Sequence, residues 1–196
     1  MPDLNKNYQK YRWFFTSSRK LVVGGKSADQ NEEIVSEIIK LSKKEKKDFF
    51  VMHTREPGSP FAIIISPKDE LSRDDIEETA IWCGCFSRAW REGKKKTVID
   101  IFSSFQIKKA PLMKAGTFGV VGKSENKTVE LKLFLTKQEK KLRAVPIVKN
   151  KKEILSVITP GKIDKDEFSE IVSKKLKISK EEVLNALPTG KFREIK

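Results

Sequence analysis

The stretch Tyr11–Ile39, YRWFFTSSRKLVVGGKSADQNEEIVSEII, carries the change of hydrophobic period on which the fold turns. Tyr11–Thr16 is rich in aromatics and reads as a strand. Ser17, Ser18, Arg19 and Lys20 make a polar turn, and Leu21–Gly25 reads as the returning strand of a hairpin. Gly24 and Gly25 permit a close backbone approach before the pattern becomes helical. Ser27 and Gln30 stand at capping-box spacing, and Ile34, Val35, Ile38 and Ile39 share one helical face. The lysine-rich stretch Lys43–Lys47 closes the helix with the charge its C-terminus favours.

The chain continues in the same alternation. Asp48–Thr54 and Pro60–Ser66 are strand candidates joined by Arg55-Glu56-Pro57-Gly58-Ser59, whose Pro57-Gly58 pair suits a type II turn. A second helix starts at Ser72, with Asp75 at capping distance. Its inner face holds Ile76, Ala80, Cys83, Ser87 and Trp90, several of them small enough for the helix to lie close to a sheet. Gly93 breaks it. Thr97–Phe105 and Thr117–Gly122 read as strands, and Thr128–Leu135 alternates Val129, Leu131, Leu133 and Leu135 with polar neighbours as one half-buried strand. Beyond the basic separator Lys137–Arg143, short strands are expected at Ala144–Val148 and Ile154–Ile158. A helix face follows from Phe168 to Leu176, and a last helix is capped by Ser179 and ended by Pro188 and Gly190.

No stretch approaches the ~20 apolar residues of a membrane span, and the polar N-terminus Met1–Arg12 has no signal-peptide core, so a cytoplasmic place is expected. One histidine and two cysteines in a C-x-C spacing make no metal-ligand set; no metal and no cofactor are expected. On a helix Cys83 and Cys85 point about 200° apart, which suits packing residues.

The net charge of +14 is uneven. Met1–Ser87 has 14 basic and 14 acidic residues, whereas Arg88–Lys127 has 10 and 3, and Thr136–Lys196 has 16 and 9. A localised excess is the footprint of a polyanion partner. The strongest constellation is Phe102–Lys123, where Ser103, Ser104 and Gln106 offer hydrogen bonds. Lys108, Lys109, Lys114 and Lys123 offer charge there, with Phe102, Phe105 and Phe118 interleaved. Lysines clamp phosphates and an exposed ring stacks a base; at most one of the three phenylalanines is expected to do so. Gly24-Gly25-Lys26-Ser27 lacks the first glycine of a phosphate loop, yet Lys26 stands beside a helix N-terminus. His53 and Arg55 flank the Pro57-Gly58 loop. Trp13, Phe50 and Trp90 are assigned to the core.

Several ordered segments together resemble the RNA-binding domain of the NFACT family, over Tyr11–Lys123. They are Arg12-Trp13-Phe14-Phe15-Thr16-Ser17-Ser18, Leu21-Val22-Val23-Gly24-Gly25-Lys26, Asn31-Glu32 and Asp48-Phe49-Phe50. His53, Pro57-Gly58-Ser59-Pro60-Phe61, the Cys83–Trp90 helix, and Lys108-Lys109-Ala110-Pro111 leading to Gly116-Thr117-Phe118 complete the set. The resemblance is to the short, free-standing version of that domain. It implies an α+β domain that binds RNA, with tRNA as the ligand of ribosome-associated members.

The expectation is therefore an α+β fold: a mixed, largely antiparallel sheet with helices packed on it, plus a small C-terminal helical extension. Residues 1–135 form the RNA-binding domain and 136–196 a basic strand/helix extension. The expected function is recognition of tRNA or ribosomal RNA in translation, ribosome quality control or tRNA metabolism, with contacts from Lys26, His53, Arg55, Lys108, Lys109 and Lys114. The surplus lysines should gather on one exposed face beside the Pro57-Gly58 loop. No catalytic residue is assigned. Two rival readings are a tRNA-modifying enzyme or its subunit using His53 as acid or base, and an adaptor docking a protein or the ribosome through residues 164–188.

Overall fold

A computed structural model describes residues 4–195; the outermost part of the N-terminus read above lies outside them. The chain runs β1 (Arg12–Phe15), β2 (Leu21–Gly24), α1 (Ala28–Glu45), β3 (Phe50–Thr54), β4 (Ala62–Ile64), α2 (Arg73–Cys85), α3 (Arg88–Arg91) and β5 (Lys96–Ser103). It continues through β6 (Ile107–Lys108), β7 (Gly119–Val120), β8 (Glu125–Glu130), β9 (Leu133–Gln138) and β10 (Lys141–Val145). The last elements are β11 (Ser156–Ile163), α4 (Lys165–Leu176), α5 (Lys180–Ala186) and β12 (Phe192–Ile195). Strands assemble as a six-stranded sheet, β1-β2-β4-β3-β5-β8, a four-stranded sheet, β10-β9-β11-β12, and the small β6-β7 ribbon. All the described pairings are antiparallel. The α+β expectation holds.

Both faces of the six-stranded sheet are buried, which is why its strands read as nearly continuous apolar runs. Trp13, Val23, Val51 and Ile63 point to one side, where Ile34, Val35 and Ile38 of α1 cover them. Their neighbours Phe14, Val22, Met52 and Ile64 point to the other, against Ala80, Trp82 and Cys83 of α2. The period of two follows from the pleat.

Helix α2 is buried on opposite sides because the second sheet lies over it. Cys83 Sγ points to the carbonyls of Met52 and Pro60 in the first sheet region, whereas Cys85 Sγ points to the Lys132 carbonyl on the far side. The two thiols are therefore packing groups facing apart, and burial pushes Cys83 up to about 12 and raises Cys85 as well. Gly84 lets the helix come close. A Cβ there would stand 2.9 Å from Thr97 and Val129 side-chain carbons.

The expected strand Thr128–Leu135 is in fact two. Val129, Leu131, Leu133 and Leu135 are all buried, as alternation requires, but β8 belongs to the first sheet and β9 to the second. The chain changes sheet at Leu131-Lys132, where Leu131 N–H donates to the Lys95 carbonyl at 2.8 Å. Alternation registers which side chains are buried, and is silent on which sheet buries them.

The stretch expected to separate two regions, Lys137–Arg143, is the β9–β10 hairpin. Glu139 and Lys140 both lie in the left-handed region, φ 48° and 60°, the signature of a tight two-residue turn. The C-terminal sheet gains β12, too short to be seen in the sequence. Phe168, Val172 and Val183 of the last two helices, with Leu187 just beyond them, are buried in the same cluster as Leu133, Leu135 and Leu142. The apolar faces expected to dock a partner through residues 164–188 thus cover the chain's own second sheet.

Candidate nucleic-acid interface

The N-terminal end of α1 organises the surroundings of the expected contacts. Ser27 caps the helix by accepting from Gln30 N–H, while the Gln30 side chain accepts from Lys26 N–H rather than from the cap residue itself. Asn31 Oδ1 accepts from Phe61 N–H at 3.1 Å, which fastens the helix to the segment after the Pro57-Gly58 turn. Gly25 is required beside it, since a Cβ would stand 2.3 Å from that same oxygen. Glu32 Oε2 takes Lys109 Nζ at 2.6 Å and Gly116 N–H at 2.9 Å. Asn31 and Glu32 therefore tie three separate segments to one helix end. A sequence reveals that these residues stand in the pattern; the partners, 30 to 84 positions away, are visible only in three dimensions.

The six expected contacts divide. Lys109 is half-buried and committed: besides Glu32 it donates to the Lys114 and Thr117 carbonyls and lies over the Phe118 ring, 5.0 Å from its centroid. Arg55 pairs with Asp100 at 2.8 Å. His53 stands on β3 opposite Asp100 of β5, and its Nδ1 donates to the Thr54 carbonyl at 2.6 Å. Burial holds its imidazole below the usual histidine range, against the pull of that hydrogen bond and of the Asp100 charge. His53 packs on Phe61, 4.7 Å between centroids, and Phe61 meets Phe118 edge-on at 5.4 Å. A row His53–Phe61–Phe118–Lys109 thus brings two distant motif segments together. Lys108 and Lys114 are exposed and, with Lys26, take part in no ion pair among the described residues.

The surplus lysines do not form one face by the Pro57-Gly58 loop. Many are matched with carboxylates, as in Lys94 with Glu56 and Glu92, Lys127 with Glu77, and Lys175 with Glu194. Cations without such partners collect in two other places. One is a groove between α1 and the Ser104–Lys109 segment, bordered by Lys40, Lys43, Lys108 and the Phe105 ring. Phe105 is 55% exposed, whereas Phe102 and Phe118 are half-buried, so one ring of the three is presented outward. Lys43 belongs to the run that closes α1, so its charge reads equally as a helix-ending signal, and Lys40 one turn earlier carries no separate mark in the sequence. The second place gathers Lys26, Arg12 and Arg143 in a cleft between β1 and the second sheet.

No helix of the described residues is long and apolar enough to cross a membrane. Groups of three or more histidine, cysteine, aspartate or glutamate side chains placed to hold a metal are absent among the described residues.

The sequence pattern of the NFACT protein RNA binding domain matches residues 10–122. The chain is 34% identical over 88 residues, 45% of its length, to the archaeal Rqc2 homolog aRqcH of Methanocaldococcus jannaschii. It is 31% identical over 121 residues, 59% of its length, to the ribosome quality control complex subunit NEMF homolog of Drosophila melanogaster. It spans 12% of the length of each. Among solved structures, the C-terminal part of the fibronectin/fibrinogen-binding protein from Streptococcus suis is similar with a TM-score of 0.49 and 19% identity, over 61% of this chain and 44% of that one.

Proposed function

Since the chain belongs to the family of the NFACT protein RNA binding domain, we propose that it binds structured RNA, tRNA or ribosomal RNA, in ribosome quality control in the cytoplasm. The observation that carries this reading is the groove of Lys40, Lys43 and Lys108 beside the exposed Phe105. Unpaired ammonium groups hold phosphates and release counterions, and a ring at the groove edge stacks an unpaired base. Two relatives named for ribosome quality control support the setting.

Within this reading Lys26, Lys108 and Lys114 touch phosphate. Arg55 and Lys109, held by Asp100 and Glu32, shape the surface, and His53 offers RNA the ring nitrogen that is not bonded to the Thr54 carbonyl. Residues 1–135 carry the groove and 136–196 enlarge the basic surface.

The test is binding of tRNA and of a ribosomal RNA fragment at several salt concentrations, with Lys40→Glu/Lys108→Glu beside the parent. Affinity should fall at least about tenfold in the double variant, with an unchanged melting temperature. Affinity that is insensitive to both salt and the double substitution refutes the reading. Preference between the two RNAs decides the ligand class.

A further inference from the structure

Both sheets contribute to a cleft of about 370 Å³ whose cationic wall holds Arg12 at the start of β1, Lys26 before α1, and Lys141 and Arg143 on β10. None of the four takes part in an ion pair among the described residues. Arg12 donates to the Gly25 carbonyl at 2.8 Å, and Arg143 to the carbonyl of Leu142 at 2.7 Å. The Arg143 guanidinium lies over the Trp13 ring, 3.8 Å from its centroid. Arg143 Nε and Trp13 Nε1 are buried donors without an acceptor among the described residues. Such groups are rare, because an unmet buried donor costs about 1–3 kcal/mol.

The opposite rim is α5, with Glu181 and Glu182. Glu182 is turned to the Leu142 N–H, 2.7 Å from its Oε1. Behind the wall Lys165 donates to the Leu187 carbonyl. Burial and the Arg12 charge hold Lys165 at about 8, and burial with the Arg12 and Arg143 charges lowers Lys26. Burial lowers Arg12, and brings Arg143 to about 10 against the pull of the Glu182 charge on the facing rim. The fold has thus gathered like charges, partly dehydrated, around open space. An anion bound there would offset the repulsion and accept from the guanidinium and ammonium groups that line the cleft.

We propose that this cleft binds the phosphate of a single nucleotide, free or at the end of an RNA strand, through Arg12, Lys26 and Arg143. The strand-end source rests on the RNA-binding reading; the phosphate site does not. Because Arg143 and Lys141 come from the C-terminal sheet, that region completes a ligand site rather than serving only as an appendage.

The test follows the indole N–H signals of the full-length protein by NMR. Trp13 reports on the cleft, and Trp90, bonded to the Lys191 carbonyl at 3.2 Å, is the distant control. Inorganic phosphate and adenosine 5′-monophosphate should move the Trp13 signal, and adenosine should not. The exposed Lys26→Gln variant should weaken nucleotide binding about tenfold, the loss of one charge-assisted contact. Arg143→Gln should weaken it further if its spectrum shows an intact fold. A short RNA carrying a 5′-phosphate that moves Trp13, when its 5′-hydroxyl counterpart does not, assigns the strand end. Response to the free nucleotide alone assigns the free source. A Trp13 signal unmoved by every phosphate probe overturns the proposal, even if longer RNA binds elsewhere. Movement by adenosine 5′-monophosphate with no RNA able to compete keeps the cleft and removes the strand-end source.

Discussion

The two ends of the β1–β2 hairpin hold buried charge in opposite conditions. At the turn, Asp75 accepts from the Thr16 and Ser18 hydroxyls, both at 2.5 Å, and from Ser72 N–H, while both Glu78 oxygens accept from Ser17 N–H. Burial alone would raise Asp75, but the Ser18, Thr16 and Ser72 donors outweigh it and hold its carboxyl below the usual range, while burial, with the Asp75 charge, keeps Glu78 above it despite the Ser17 donor. At the other end, Arg12, Lys26, Lys141 and Arg143 line open space with no carboxylate paired to any of them among the described residues, and Arg143 Nε is a buried donor without an acceptor among those residues. A buried charge whose partners are complete is a structural fastening. One whose partners are missing is where a ligand would enter.

Truncation after Leu135 should have the largest effect, because it breaks both ends. It removes Gln138, whose side chain bonds both ways with the Phe15 backbone, and Arg143 from the cleft. It also strips the cover from α2. The shortened chain should lose its cooperative thermal transition; a sharp melt near the parent's would show that the six-stranded sheet stands alone. Next, Asp75→Ala empties the turn lock. Leaving buried hydroxyls unmet should cost about 3 kcal/mol in urea unfolding, and an unmoved midpoint would mean the lock holds nothing.

The cationic end should answer to pH. Lys165 lies near 8 in the folded chain against an ordinary value of 10.5. Between those values the unfolded chain binds more protons, so stability should climb as pH rises through that interval. Lys165→Met should abolish that part of the climb. Equal pH dependence in variant and parent would mean that no strain is stored there. Smallest of all, Lys26→Gln should shift unfolding free energy by less than about 0.5 kcal/mol while changing phosphate binding. A large loss of stability would make Lys26 a structural residue and blur the contrast.

How much of this was legible depended on how local the cause is. Helix α1 was readable from Ser27 to the lysine run because one face is buried and the other wet. The α2 start was equally clear, since the Ser72–Asp75 capping box closes within four residues. Burial of Asp75 and Glu78 was not foreseeable, because their partners lie 57 to 61 positions earlier in the chain. The candidate residues suffered the same limit: Lys109 and Lys108 are adjacent and alike, yet one is fastened to Glu32 and the other faces a groove.

By itself the amino-acid sequence determined the α+β class, the extent of the RNA-binding domain family and the facing-apart cysteines, because period and spacing act over a few residues. Only the tertiary structure decided that Thr128–Leu135 passes between two sheets and that α2 is enclosed by both. It also decided which lysines are neutralised and that Arg12, Lys26 and Arg143 converge. Charge acts through space at ångström distances, so the partners that decide each cation's role are set by the packing of segments far apart in the chain.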